Sequence, residues 1–446
     1  MTAARHLAES LFDAAVRAAD PYAATRATLE GRALGARPWI LAAGKAALPM
    51  ARAALDALAV ARRIPAGGVV IAADLPRGAE GEVTPLVAMA GDHPLPGERS
   101  RAAAEALGAA ARLVRPGDDV LVLLSGGASS LMAAPVEGIS TEAMLGLFRG
   151  LHRAGAPIDV MNAFRKRVLR WGGGRLASAL AGAKVQVLIA SDVIGDEPSA
   201  IASGPCSADR WRAADLIELA QQQRLGAYLP QEVQTFLDRT LSGEVEETPK
   251  PGSPALAGVE ARVILGNRRA LEGVAQEGMR LGVDVRVAPT PITGRARSMG
   301  AAIAMAAMAA RSAAPMPSHR PLNIPCRLAL VWGGETTVPL GEGPTGTGGR
   351  AQELALAAAQ ALHERGAEGR GITILSAGTD GRDGPTDAAG AVVDGTTWTR
   401  IALAGHAPLR ALEQHDAYPA LDAAGALLRT GMTGTNVNDV VIALVE

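Results

Sequence analysis

The chain has 446 residues, 48% of them hydrophobic and 20% charged, with a formal net charge of -1, a balance typical of a soluble globular protein long enough for two α/β domains. Near-neutral charge without a basic block among aromatics excludes nucleic acid as an expected partner, and no run of ~20 apolar residues exists to span a membrane. Two cysteines, Cys206 and Cys326, fit neither a disulfide framework nor a zinc spacing, so a reducing compartment, the cytoplasm, is expected.

The first twenty residues read as an amphipathic helix with interspersed acids rather than a signal peptide. Asp20 followed by Pro21 starts a second helix. WILAAGK (39–45) predicts a strand ending at Gly44-Lys45, and the alanine-rich stretch after it a helix that tolerates Pro49 near its start. Strands follow near 68–73 and 85–90, then a helix over 98–114, a strand at 120–125, helices between 140 and 181, and a strand at 185–191. The segment SGEVEETPKPGSPALA (242–257) breaks this rhythm with Pro, Gly and charge. It reads as a linker between a domain of residues 1–241 and one of residues 258–446. Beyond it, strands at 261–266, 283–288, 328–332, 372–376 and 439–445, with an extended piece at 389–394, alternate with helices ending near 281 and spanning 295–311 and 350–363. Residues 314–325 read as a surface loop.

Five of the apolar runs stop at loops of Gly, Ser, Thr, Asp or Lys: WILAAGK, VLVLLSGGASS, VQVLIASDVIGDEPS, LALVWGGETT and ITILSAGTDGRDGPTD. Unbroken apolar strands separated by helices describe a parallel sheet buried on both faces, with ligands gathering beyond the carboxyl ends of its strands. Ser125, Gly126, Gly127, Ser129 and Ser130 can ring an anion with amides and hydroxyls, and Lys45 at a helix start adds charge for a phosphate. A tight strand-to-helix turn is the plainer reading of the first, a solvated lysine of the second. Asp192 with Asp196 and Glu197 places three carboxylates at one strand end, which suits Mg²⁺ held jointly with phosphates, and Asp192 is alternatively a proton acceptor. In the second half Gly333, Gly334, Glu335 and Thr336 precede a glycine-rich segment ending at Arg350, whose guanidinium can grip a phosphoryl or carboxylate. Asp380, with Asp383 and Asp387 after it, and Asn436 with Asn438 complete two facing sets of polar loops. Gly341, Gly343 and Gly346 satisfy GxGxxG, but Pro344 lies inside the match and no acid ends a second strand ~20 residues on, so it reads as chance. His93 reads as a turn-stabilising or buried residue more readily than as a site group.

These blocks, in this order, resemble the glycerate 2-kinase family, whose members also carry the names MOFRL and hydroxypyruvate reductase. The resemblance runs nearly end to end, through AAGKAA (42–47), GDHPLPGE (91–98), LLSGGASSL (123–131), SDVIGDEPSAIASGP (191–205), ETPKPG (247–252), GGETTV (333–338), GGRAQELALA (348–357), SAGTDGRDGPTDAAGA (376–391) and TGTNVND (433–439). It implies a Rossmann-like N-terminal domain joined to a smaller mixed α/β domain, with the site in the cleft. It also implies ATP-dependent phosphorylation of D-glycerate at the C2 hydroxyl with Mg²⁺, and catalytic roles for Lys45 and Arg350. The chain departs from the family's pattern in MNAFRKRVLRWGGGR (161–175), where Arg167, Leu169 and Gly172 stand in place of His, Ser and Lys, and at Gly97 and Ala351. A nicotinamide-dependent hydroxypyruvate reductase and a non-catalytic sugar-acid or nucleotide sensor are the rival functions. A homodimer is one assembly compatible with the chain.

Overall fold

The structure, a computed structural model, describes residues 3–32, 35–313, 326, 328–340 and 345–446. The loop expected at 314–325, and Gly341 and Gly343 of the GxGxxG match, lie outside the described residues. The chain forms two compact units, Pro21–Ile264 and Met1–Asp20 with Leu265–Glu446.

In the first unit the strands β1 (Trp39–Ala43), β2 (Gly67–Ala72), β3 (Val87–Ala90), β4 (Asp119–Ser125), β5 (Lys184–Ala190) and β6 (Val259–Leu265) lie in the order β3-β2-β1-β4-β5-β6. β1 pairs parallel with β2 and β4, β2 with β3, and β4 with β5. Helices such as Ala47–Val60 and Glu98–Ala111 carry the chain back between parallel strands and cover the sheet. That is why β4 is buried at every residue from Val120 to Ser125 and shows no alternation of polar and apolar positions. The order reverses between β1 and β4, which opens the crevice where doubly wound sheets bind ligands.

The second unit holds β7 (Asp284–Val287), β8 (Leu328–Gly334), β9 (Ile372–Gly378), β10 (Gly390–Asp394), β11 (Leu427–Leu428) and β12 (Asp439–Val445), ordered β11-β10-β9-β12-β8-β7. β12 runs antiparallel to both β8 and β9, so the apolar runs at 328–337 and 372–387 do not join one parallel sheet with the earlier three. A continuous apolar run reports burial on both faces and carries no information about direction. Because β8 and β9 flank β12 in the opposite sense, Asp439 at its start lies level with Gly334 and Gly378 at their ends.

The boundaries fall elsewhere than at 242–257. β6, expected to open the second domain, extends the first sheet beside β5, and Val185 N donates to Gly258 O at 2.8 Å. The N-terminal helix Ala3–Ala18 packs instead on the helix Asn267–Leu281 of the second unit. The 242–257 segment itself is anchored: Thr248 is buried and its Oγ1 donates to Asp209 Oδ2 at 2.9 Å, while Asp209 N donates to Pro249 O. Its Pro, Gly and charge composition resembles a linker because those charges serve a buried cluster described below.

Candidate active site

The carboxyl ends of β1 and β4 meet at the reversal point. Lys45 N donates to Gly126 O at 2.9 Å, and Ala46 N donates to Ser125 Oγ at 2.9 Å. The turns are pressed together so closely that only glycine fits: a Cβ on Gly44, whose φ is +132°, would lie 2.1 Å from Ser125 Oγ. One on Gly126 would lie 1.8 Å from Asp192 Oδ2 at the end of β5. Lys45 is exposed beside this junction, and Gly127 sits between its side chain and His93, with a hypothetical Cβ 3.3 Å from Lys45 Cγ and 3.2 Å from His93 Cδ2.

Electrostatics tie these three side chains together. Burial pushes the Asp192 carboxyl above the ordinary carboxylate range, although the Lys45 charge pulls the other way. Burial, with the same lysine, holds the His93 imidazole below its usual value, so it is neutral at pH 7. The structure brings Lys45, Ser125, Gly126, Gly127 and Asp192 together, with His93 beside them. Two serines are otherwise engaged. Ser130 Oγ donates to Pro94 O at 2.7 Å, fixing the turn after His93, and Ser129 Oγ shares a hydrogen bond with Ser203 Oγ at 2.8 Å. The trio of carboxylates is not assembled, since Glu197 caps Ser199 N locally and no group of three His, Cys, Asp or Glu placed to hold a metal exists among the described residues.

The departures in 161–175 separate into architecture and pocket. Arg167 is 0% exposed; it donates to Glu247 Oε2 at 2.6 Å and to Trp211 O at 2.8 Å, and Lys250 Nζ lies 3.0 Å from the same glutamate. Arg175 donates to the carbonyls of Lys166, Arg167 and Leu169. Gly172 packs so that a Cβ would lie 2.8 Å from Lys166 O. Arg167 and Gly172 are thus core devices, while Leu169 lines a cavity. Removing Glu247 leaves the buried Arg167 only the more distant Asp209, 3.9 Å away, so Glu247→Gln is expected to cost about 3 kcal/mol in urea unfolding at pH 7. Despite burial, bonds from Ala213 N, Arg167 and Lys250 hold the Glu247 carboxyl down to about 2. A carboxyl lowered in the folded state stabilises above its unfolded value near 4.3, and that stability disappears as pH falls toward about 2. The variant should lack this portion of the acid limb.

In the second unit the ends of β8 and β9 and the start of β12 surround Arg350, the first residue of the helix Arg350–Glu364. Its Nε and Nη2 form a bidentate pair with Asp439 Oδ2 and Oδ1 at 2.7 and 3.0 Å, and Nη1 donates to Glu335 Oε1. Burial opposes its charge, but the Asp439 bonds and the charges of Asp439, Glu335 and Asp383 outweigh that and raise the guanidinium above its ordinary value. Asp383 caps the same helix, accepting from Ala351 N at 3.1 Å and Gln352 N at 2.7 Å, yet burial pushes its carboxyl up to about 7. A cavity of about 660 Å³ is lined by Glu335, Thr336, Arg350, Asp380 and Asp383. Thr336 is 2% exposed and its hydroxyl has no protein partner, which leaves it available to a ligand. Gly333 and Gly334 end β8 and let Asn267 and Ile292 approach the backbone. Asn436 Oδ1 accepts from Asn438 N at 3.2 Å, and Asn438 O receives the Thr379 hydroxyl, so both asparagines shape the loop rather than line the cavity. Asp439 was not read from the sequence; an acid opening an otherwise wholly apolar strand was the available signal.

Residues 7–238 match a family model described as a domain of unknown function (DUF4147), and residues 328–439 match the MOFRL family. The chain is 36% identical over 99% of its length to a glycerate 2-kinase of Pyrococcus horikoshii, covering 97% of that protein. It is also 36% identical over 99% of its length to a D-glycerate 2-kinase of Thermotoga maritima, covering 98% of it. The crystal structure of a glycerate kinase from Thermotoga maritima matches it with a TM-score of 0.83 at 35% identity, with 99% of each chain covered. With its site residues at the strand ends and this kinship along the whole chain, the protein belongs to the glycerate 2-kinase family.

Proposed function

We propose that this enzyme transfers the γ-phosphoryl group of ATP to the C2 hydroxyl of D-glycerate, giving 2-phosphoglycerate and ADP. The observation that carries the reading is the lysine at the reversal point of the first sheet, beside a carboxylate whose proton affinity is raised. Phosphoryl transfer asks a protein for alignment and for charge around the moving group rather than for covalent chemistry. Lys45 supplies positive charge, and the amides of the Ser125–Gly127 turn supply dipoles. Arg350 keeps two N–H groups beyond the three given to Asp439 and Glu335, and these can grip a phosphate or carboxylate oxygen. The raised affinity of Asp192 fits it to accept the hydroxyl proton as the oxygen attacks phosphorus. Mg²⁺ is the alternative use of Asp192: with no cluster of three ligands among the described residues, this carboxylate would hold the ion together with phosphate oxygens and water in place of accepting the proton, and the ion would neutralise phosphate charge.

A reductase would carry its dinucleotide fingerprint in the turn after β1, where a sheet of this order binds pyrophosphate. That turn reads Ala43-Gly44-Lys45-Ala46-Ala47, with a lysine and no GxGxxG. Purified protein with D-glycerate, ATP and Mg²⁺ is expected to yield 2-phosphoglycerate by ³¹P NMR, and to leave NADPH unconsumed when given hydroxypyruvate. A 3-phosphoglycerate signal would overturn the regiochemistry, and no ester at all would overturn the kinase assignment.

A further inference from the structure

Within the first unit, a cavity of about 470 Å³ opens beside the Ser129-Ser130 turn, with Phe148, Arg149, His152, Arg165 and Leu169 on its walls. Its size falls in the ordinary range of small-molecule sites, about 300–1,000 Å³. The lining carries two arginines and a histidine but no carboxylate. Pro94 also borders it, next in the chain to His93, so one end of the cavity adjoins the Lys45 turn.

Arg165 is the unusual member. It projects from the helix Ile158–Val168, with its guanidinium carbon 5.2 Å from the centre of the Phe148 ring. Its Nε is buried without a hydrogen-bond partner. Burial alone lowers the guanidinium from its ordinary value, with no acid opposing it. The contrast with its neighbours is sharp: Arg167 has Glu247, and Arg175 has four backbone carbonyls. Withdrawing a cation from water without a counter-charge destabilises the fold. A ligand anion would supply that missing charge, and the apolar walls at Phe148 and Leu169 would strengthen the interaction by excluding water.

We propose that this cavity is the acceptor subsite, in which Arg165 binds the carboxylate of a short-chain 2-hydroxy acid while Phe148 and Leu169 cover its carbon chain and its hydroxyl faces the Lys45 turn. The identity of the acceptor rests on the kinase reading; the capture of a carboxylate does not.

Isothermal titration of the full chain with D-glycerate, in the absence of nucleotide, tests this directly. Wild-type protein should bind D-glycerate and not glycerol, which has the same carbon count without the carboxylate. Arg165→Met should weaken D-glycerate binding about 10- to 100-fold, the usual effect of deleting a hydrogen bond to a charged group. Its melting temperature should be equal to or above that of wild type, because no native ion pair is lost. Arg165→Lys should recover part of the affinity. Equal binding of glycerol and glycerate, binding by the Met variant within twofold of wild type, or no binding of glycerate by wild type would each overturn the inference. The glycerol comparison needs no variant. The phosphorylation assay separates the two readings: turnover with an unchanged Arg165→Met titration sinks this inference alone, and carboxylate binding without turnover sinks the kinase reading alone.

Discussion

Lys45→Ala is expected to reduce kcat for glycerate phosphorylation by about 10²–10³-fold, the effect of deleting one preorganised group aimed at developing charge. The fold should survive, because the side chain is exposed and its ammonium makes no hydrogen bond among the described residues. What holds the turn is backbone: Lys45 N to Gly126 O, and Ala46 N to Ser125 Oγ, neither of which the substitution removes. The variant also carries a second signature. Lys45 restrains the Asp192 carboxyl from rising further, so its removal raises that carboxyl's affinity for a proton. A base works only when deprotonated, and activity through it is lost below its pKa. The acid limb of the residual activity should therefore move to higher pH. Stopped assays across the pH range, beside a melting curve, measure both effects; turnover within tenfold of wild type would remove Lys45 from the chemistry.

The site in the first unit was legible because each of its parts follows an apolar run that could be read by eye. Gly44-Lys45, Gly126-Gly127 and Asp192 each stand one or two residues past a buried strand, Ser125 closing the second of these, and strand order alone then decides that the first two lie at the reversal point. His93 was harder, since its place against Lys45 depends on the Ser130 hydroxyl holding the Pro94 carbonyl. In the second unit the polar loops were visible but their wiring was not. Arg350 stood out at a helix start, while its restraint by Asp439 depends on β12 running antiparallel between β8 and β9. Periodicity cannot report direction. The 242–257 segment shows the opposite failure, in which an acid that reads as part of a linker, Glu247, is the counter-ion of both Arg167 and Lys250.

Arg350 offers the second large effect, and it can be divided into structure and chemistry. Asp439 is 3% exposed and Asp383 4%, and the guanidinium is the cation that faces both carboxyls. Arg350→Met leaves Asp439 buried without its bidentate partner, which is expected to cost about 3–5 kcal/mol when the carboxyl is ionised. The pH dependence has a definite sign. An acid whose folded pKa is raised stabilises the fold at low pH, and that contribution is lost as pH rises through the folded value; burial already holds Asp383 at about 7 and raises Asp439. Without Arg350 both carboxyls rise further, so the melting temperature of the variant should fall below wild type more at about pH 8 than at about pH 6. Adding Asp439→Asn removes the stranded charge and should restore most of the lost stability. Turnover should not follow if Arg350 is catalytic, because the two N–H groups it does not give to Asp439 and Glu335 are still gone, a deficit of about 10²–10³-fold. If turnover returns together with stability in the Arg350→Met, Asp439→Asn double variant, Arg350 serves the architecture of the strand ends and not the chemistry.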